Sequence, residues 1–475
     1  MTTPTDLCFT PATELGRLIR ARQVSPVDVT AAVLARIERI NPSLNAFLTV
    51  TADHARDLAR AAEARAVRGQ LLGPMDGISY SLKDLEPTAG IRTTMGSKFF
   101  ENNVPAEDGV VASRLRASGG ILLGKTNTSH FGYKDMCDNL LGPPCANPWN
   151  LRRTSGASSG GAGSAVAAGL GPLAHGSDGS GSIRIPSALC GIFGLKPSLG
   201  RVPMWPAADL WNARAHNGPM TRTVRDAALM LSVMAGPDAR DPLSVDTPPA
   251  DYLAACDGDL RGLRVGWSRD LGFAAVDPAV GDIAERAARR FAELGCTVEE
   301  ARIDWGDPFD FHRIIYSVNV AGRHYDRALA RPDWFEATFL RMILDGARVS
   351  AIQFQQANIE RTVFAEKVRR TFETFDLLLT PQMPLAAWPS DPGPFEGVAD
   401  LGGKPAHSIF ERVPFMYPFN LTGLPAANVP CGFTRERLPV GLQIVARWHR
   451  ETDVFRAAAC FEALQPWAQH RPPLD

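Results

Sequence analysis

Residues 156–184 read GASSGGAGSAVAAGLGPLAHGSDGSGSIR. Two glycine-rich turns carry serines, Ser158-Ser159 and residues 177–182, and the alanine-rich run 162–168 between them predicts a helix. Glycine lets backbone approach a ligand closely, and consecutive exposed amides form a concave site for negative charge. Serine supplies a nucleophile. A Gly/Ser run also suits a flexible linker. Here Val166, Leu170, Leu173, Ile183, Ile185 and the apolar run 189–195 bracket the turns, so both should be pinned in a core.

Outward from that stretch the chain has ordinary globular character. Its 475 residues are 45% hydrophobic and 21% charged, enough apolar surface for a large core. A formal net charge of -1 gives no electrostatic case for nucleic acid or an anionic membrane, and favours a small, roughly neutral ligand. The eight cysteines show neither CxxC spacing nor a compact disulfide framework, which fits reduced thiols in a cytoplasmic protein. The start MTTPTDLCFTPATELG lacks a basic segment followed by an apolar one, and no 18-residue apolar run occurs, so a soluble cytoplasmic protein is expected. The histidines never fall into HExxH or a similar spacing; no metal and no cofactor are expected.

Ser25-Pro26 opens a helix carrying Val29, Val33, Ile37 and Ile40, with Asn41-Pro42 as its expected stop. Residues 52–68 predict a second helix, on the surface. In GISYSLKD, residues 77–84, the alternation of Ile78, Tyr80 and Leu82 predicts a strand that turns Lys83 to its other face. Such a lysine is either a solvated charge or, buried, a base of lowered pKa. Residues 108–115 predict a helix and 120–123 a strand. Residues 119–126 match the phosphate-loop pattern GxxxxGK[ST], but Ile121, Leu122 and Leu123 are strand rather than loop and no amphipathic helix follows, so nucleotide binding is rejected. Residues 156–160 match the GxSxG nucleophile elbow. The preceding NPWNLRRTS reads as loop where the elbow needs a strand, so Ser158 is not expected to be an elbow nucleophile.

Residues 263–267, 280–294 and 297–303 form a βαβ pattern with Gly295 as helix stop, which supports an α/β fold with parallel pairing. Residues 305–375 turn helical and hold 12 of the 38 aromatic residues, an enrichment that suits either core packing or the wall of a pocket for apolar or aryl groups. Short strands are expected at 375–379, 426–429 and 440–446, and a Pro/Gly-rich loop at 381–405. No repeat or clear domain boundary emerges.

A serine hydroxyl needs a base and a group to relay or orient its proton. Without a suitably placed histidine, a neutral Lys83 is the candidate base, with Ser182 attacking and Ser158 between them. The amides of Gly179, Ser180, Gly181 and Ser182 would hold the oxyanion of a tetrahedral intermediate.

Residues 156–202 resemble the defining stretch of the amidase signature family, serine amidohydrolases with a Ser-cis-Ser-Lys triad. The similarity extends through LNAFLTV and GPMDGISYSLKDL upstream, GKTN and NPWN, and FDLLLTPQMP and FNLTGLPAANVPCG…LPVGLQIV at the end. It implies an α/β fold, a mixed central sheet covered by helices on both faces, in a single domain over 1–475 with a variable helical, aromatic-rich pocket segment at about 305–375. It implies Lys83 as base, Ser158 as bridging cis-serine and Ser182 as nucleophile. It also implies residues 179–182 as the oxyanion hole, with Asp178, Arg184 and Ser159 supporting the turn; a surface ion pair is the alternative for Asp178 and Arg184. Four positions depart from the family pattern. Ser180 and Ala157 stand where glycine is usual, Ser79 where proline is frequent, and His130 where an acid is usual; His130 should be a pocket-wall or packing residue.

The chemistry expected is cleavage of a C–N acyl bond through an acyl-enzyme, on aryl or alkyl amides, with esters or carbamates as further small-molecule substrates. Lys83 must be neutral, so Asp84 should point away. Two alternatives stay open: the glutamine-hydrolysing subunit of a tRNA-dependent amidotransferase, which would need partner chains, and a non-catalytic ligand-binding relative. No nucleic-acid or membrane partner is expected, and a homodimer is left open.

Overall fold

The computed structural model describes residues 4–212, 214–390 and 409–474. Its strands, in chain order, are β1 (Phe47–Val50), β2 (Ser79–Lys83), β3 (Ile121–Thr126), β4 (Ala146–Asn147), β5 (Asn150–Thr154), β6 (Leu173–Asp178), β7 (Phe193–Lys196), β8 (His216–Thr221), β9 (Arg264–Trp267), β10 (Thr297–Glu300), β11 (Leu377–Pro381), β12 (Ala426–Phe433) and β13 (Pro439–Ala446). Among the described residues eleven of them form one sheet, in the order β1-β3-β2-β6-β8-β7-β12-β13-β11-β9-β10. The sheet is mixed. β3, β2 and β6 run parallel, as do β11, β9 and β10, while β6, β8, β7, β12, β13 and β11 pair antiparallel in turn.

Apolar residues of the strands pack against flanking helices. Tyr80, Leu82, Leu173, Leu195, Leu377 and Ile444 join the helices Val224–Met234, Pro278–Arg289 and Glu451–Leu464 in the largest core. Residues 305–375 contribute to a second core, in which the helices Phe309–Ala330, Ala337–Gly346 and Ala351–Thr374 bury Phe311, Phe339, Phe364 and Phe372. The expected βαβ unit is present, with β9 and β10 parallel on either side of Pro278–Arg289. The expected loop at 381–405 lies, from residue 391 onward, outside the described residues.

Three local expectations need correction. The helix capped by Ser25, whose Oγ accepts from the Val27 amide, continues past Asn41-Pro42 to Leu44. A proline in the last turn forfeits little hydrogen bonding, and Asn45, in the left-handed region, closes the helix by donating its N–H to Asn41 O at 2.7 Å. The helix Ala52–Arg68 is more than a surface helix: Ala55, Ala59, Ala62 and Ala66 form a buried stripe. Alanine allows close packing without the large apolar side chains that advertise a buried face. Third, a strand does precede the serine turn. β5 pairs with β4 in a small separate sheet, and NPWN is its hairpin. Only Thr154 of β5 is buried, so the strand lacks the apolar alternation that would reveal it.

Among the described residues no helix is long and apolar enough to cross a membrane.

Candidate active site

Lys83 ends β2, a strand buried along its whole length between β3 and β6. Ligand sites in α/β sheets collect beyond the carboxyl ends of parallel strands, and Lys83 sits at such an end. It is fully buried, and Nζ donates to Ser158 Oγ at 2.7 Å, with Ser177 Oγ at 3.1 Å and Ser177 O at 3.2 Å. Burial pulls its pKa down to about 7, against smaller upward pulls from Cys137 and Asp178. The lysine is therefore buried rather than a solvated surface charge. Asp84 faces elsewhere, as required: its Oδ2 accepts from the amide of Thr94 at 2.9 Å and from the Thr94 hydroxyl.

Ser158 lies at the start of the buried helix Gly160–Ala167, after a cis peptide bond from Ala157. The helix starts two residues before the predicted run and has no side chain large enough to hold it away from its neighbours. Gly161 shows why: a Cβ there would lie 2.3 Å from Asn127 N. Ser159 staples the two serine turns together. Its N–H donates to Ser182 O at 3.1 Å, and its Oγ is 3.3 Å from both Ser177 N and Ser177 O, accepting from one and donating to the other. Ser158, Ser177, Gly179, Ser180 and Ser182 then line one cavity of about 250 Å³.

Asp178 and Arg184 brace this turn from inside the protein. Both side chains are fully buried, with Arg184 Nε 3.0 Å from Asp178 Oδ2 and Nη2 3.1 Å from Oδ1. Asn420 donates to Asp178 Oδ1 at 2.9 Å, and Arg184 reaches Asn420 Oδ1 at 2.7 Å and Gln443 Oε1 at 2.8 Å. Burial pushes the Asp178 pKa up, but the Arg184 charge and these hydrogen bonds outweigh it and hold the carboxyl well below its usual range. The surface-pair alternative is thereby excluded.

One oxyanion donor is corrected. The amide of Gly181 donates to Asp178 Oδ1 at 2.6 Å, so it is committed to the brace and cannot also face a substrate. Among the described residues the amides of Gly179, Ser180 and Ser182 have no protein acceptor. The Ser180 hydroxyl donates to Gly179 O at 2.7 Å and lies 3.4 Å from His312 Nε2, which tethers the extra side chain along the turn. His130 packs rather than reacts. Its Nε2 is 2.9 Å from Ser97 Oγ, its ring stacks on Phe131 at 4.6 Å, and burial pulls its pKa down to about 4.

The aromatic-rich segment both packs and lines the cavity. Its phenylalanines mostly pack on one another, while the helix Phe309–Ala330 turns Tyr316, Asn319, Val320, Arg323 and His324 to the cavity, at helical spacing. Sequence reasoning missed Ser177, although it stands in the quoted serine cluster, and gave no role to Asn420 or Gln443 inside FNLTG and GLQIV. Arg214, in the cavity wall, was also missed. Among the described residues no group of three or more His, Cys, Asp or Glu is placed to hold a metal ion.

The family model for Amidase matches residues 28–455. An acylamidase of Rhodococcus erythropolis is 39% identical over 487 aligned residues, covering 99% of this chain and 98% of that protein. A glutamyl-tRNA(Gln) amidotransferase chain from Moorella thermoacetica is 34% identical, covering 99% of each. Among solved structures, a bacterial aryl acylamidase of the amidase signature enzymes superposes with a TM-score of 0.90 at 31% identity, over 97% of each chain. The fold and these matches define a hydrolase acting on the C–N bond of amides. The chain belongs to the amidase signature family.

Proposed function

We propose that this hydrolase cleaves aryl or alkyl amides through an acyl-enzyme on Ser182, with Lys83 as base and Ser158 as the relay between them. The observation that carries this is the buried, carboxylate-free Lys83, with its pKa near 7, at 2.7 Å from Ser158 Oγ. Neutral Nζ takes the Ser158 proton while Ser158 Oγ takes that of Ser182, and Ser182 Oγ bonds to the substrate carbonyl carbon. The carbonyl electron pair moves to oxygen, where the free amides of the 179–182 turn face it. Collapse breaks the C–N bond, and the departing nitrogen receives the proton back from Lys83 through Ser158. Water then enters by the same relay and releases the acid. Esters and carbamates present the same carbonyl and would follow the same path.

The chain works as one catalytic domain in this account, supported by a sheet that draws strands from Phe47 through Ala446. The preference for aryl or alkyl groups is supported by the wall of Tyr316, Val320 and Phe410, and by likeness to the acylamidase and the aryl acylamidase. The amidotransferase likeness, at 34% identity, favours glutamine hydrolysis as the second possibility. Turnover of 4-nitroacetanilide, acetamide and glutamine by the isolated chain separates the two. Hydrolysis of the anilide well ahead of the other two is expected. Glutamine as the preferred substrate would transfer the account to the amidotransferase.

A further inference from the structure

The charged residues of the cavity wall are, with one exception, either answered by neighbouring groups or open to water. Lys134 donates to Asp138 at 2.7 Å and to Glu336 at 2.6 Å. Asp135 accepts from Arg412 at 2.6 and 3.0 Å. Glu86 is buried beside the charge of Lys125 and accepts from the Ala112 amide at 3.3 Å. Asp209 accepts from the amides of Trp211 and Asn212, and Arg323 is exposed near it.

Arg214 is the exception. Its guanidinium stands over the Tyr316 ring, 5.4 Å from the centroid, and its Nη1 is shut off from solvent with no hydrogen-bond partner among the described residues. The charged groups that act on it are cations, Arg361 and Arg323. Its backbone carbonyl accepts from Asn420 Nδ2 at 3.4 Å, the same amide group that holds Asp178, so Arg214 is fixed beside the reactive turn. Burial lowers its pKa to about 10, which leaves it charged at neutral pH. Arg214 is half-buried on the cavity wall, its unanswered Nη1 carries a cost, and a planar carboxylate matches a guanidinium's fork of donors.

Resting on the hydrolase reading of this cavity, we infer that its preferred amides carry a carboxylate, which Arg214 binds. The anion belongs to the acyl part or to the amine part of the substrate, and paired ligands separate these. Binding is measured calorimetrically with the Ser182→Ala protein, which does not require turnover. N-phenylsuccinamate is compared with N-phenyl-4-methylpentanamide, and 4-acetamidobenzoate with N-(4-isopropylphenyl)acetamide; each pair has one shape and differs in charge.

In one pair the carboxylate should bind about tenfold or more tightly than its neutral twin, as a charge-assisted contact to a half-buried arginine requires. That pair identifies the side of the substrate. A second substitution, Arg214→Met, should bring the ratio close to one, and Arg214→Lys should retain part of it because charge survives while the fork is lost. Should either variant fail to fold, salt titration of the Ser182→Ala protein replaces it: the ratio should shrink as ionic strength rises. Ratios near one in both pairs, a preference that survives Arg214→Met, or a salt-insensitive ratio would overturn the inference. A carboxylate preference in a protein that hydrolyses no amide would uphold the site and break the hydrolase reading. Hydrolysis of neutral amides without any preference would do the reverse.

Discussion

Residues 156–184 and residues 305–375 meet at one cavity, and they are built on opposite principles. The first is made of small residues and buried polar groups: Gly161 has no room for a Cβ, Asp178, Arg184 and Ser159 are each held by named hydrogen bonds, and Lys83 of β2 reaches Ser158. The second is made of rings. Phe339, for example, stacks on Tyr133 at 4.3 Å and packs edgewise on Phe335 at 5.5 Å. Polar networks specify atomic positions because an unmet donor or charge is expensive inside a protein. Aromatic packing fixes volume and allows the cavity-facing side of a helix to vary. On the proposed reading, reaction chemistry belongs to the first region and substrate choice to the second.

The largest expected effect tests that division directly. Lys83→Ala should lower kcat/KM on 4-nitroacetanilide by roughly 10⁴, since members of such a unit act together. Val320→Ala should instead shift the preference between acetanilides of different ring size, by about tenfold. A comparable general loss of rate in Val320→Ala would erase the distinction.

Next is pH. Lys83 must be neutral to accept a proton, and its pKa lies near 7. The logarithm of kcat/KM should fall with unit slope as pH drops below about 7, a loss of roughly a hundredfold by two units lower. It should level off above that pKa. A rate flat through this window would mean that another group serves as base.

Stability provides the third contrast. Asp178→Ala leaves the fully buried Arg184 without its carboxylate, and urea unfolding should register a loss of about 3–5 kcal/mol. The smallest effects come from a pair of glycines. Gly161→Ala would press a methyl group against Asn127 and Ala46 backbone and should destabilise by about 1–3 kcal/mol. Gly322, inside the helix Phe309–Ala330, has nothing within 4 Å of a built Cβ, so Gly322→Ala should stabilise by up to about 1 kcal/mol. Opposite signs in thermal melts would confirm how differently the two regions tolerate change.

The same contrast governs what was legible in the sequence. Lys83 at a strand end and the serines in glycine turns are local signals, and strand alternation and helix periodicity were enough for most of the sheet and for the aromatic helices. Partnerships across the chain were not legible. Arg184 finds Asn420 and Gln443 at separations of 236 and 259 residues, and neither amide has a local pattern that marks it. The commitment of the Gly181 N–H to Asp178 depends on how the turn closes, which neither the expected chemistry nor the family resemblance reveals. Arg214 was hidden for a related reason: an arginine in a loop reads as surface charge until the fold encloses it. β5 escaped because only its last residue is buried and its sequence carries no apolar alternation.

The central claim is that Lys83, through Ser158, activates Ser182. Peptide mapping by mass spectrometry after fluorophosphonate treatment tests it most directly, because the reagent labels activated serines and spares ordinary ones. The account predicts label on Ser182 in the unaltered protein and none in Lys83→Ala. Label on Ser158 instead, or no label on well-folded protein, would contradict it.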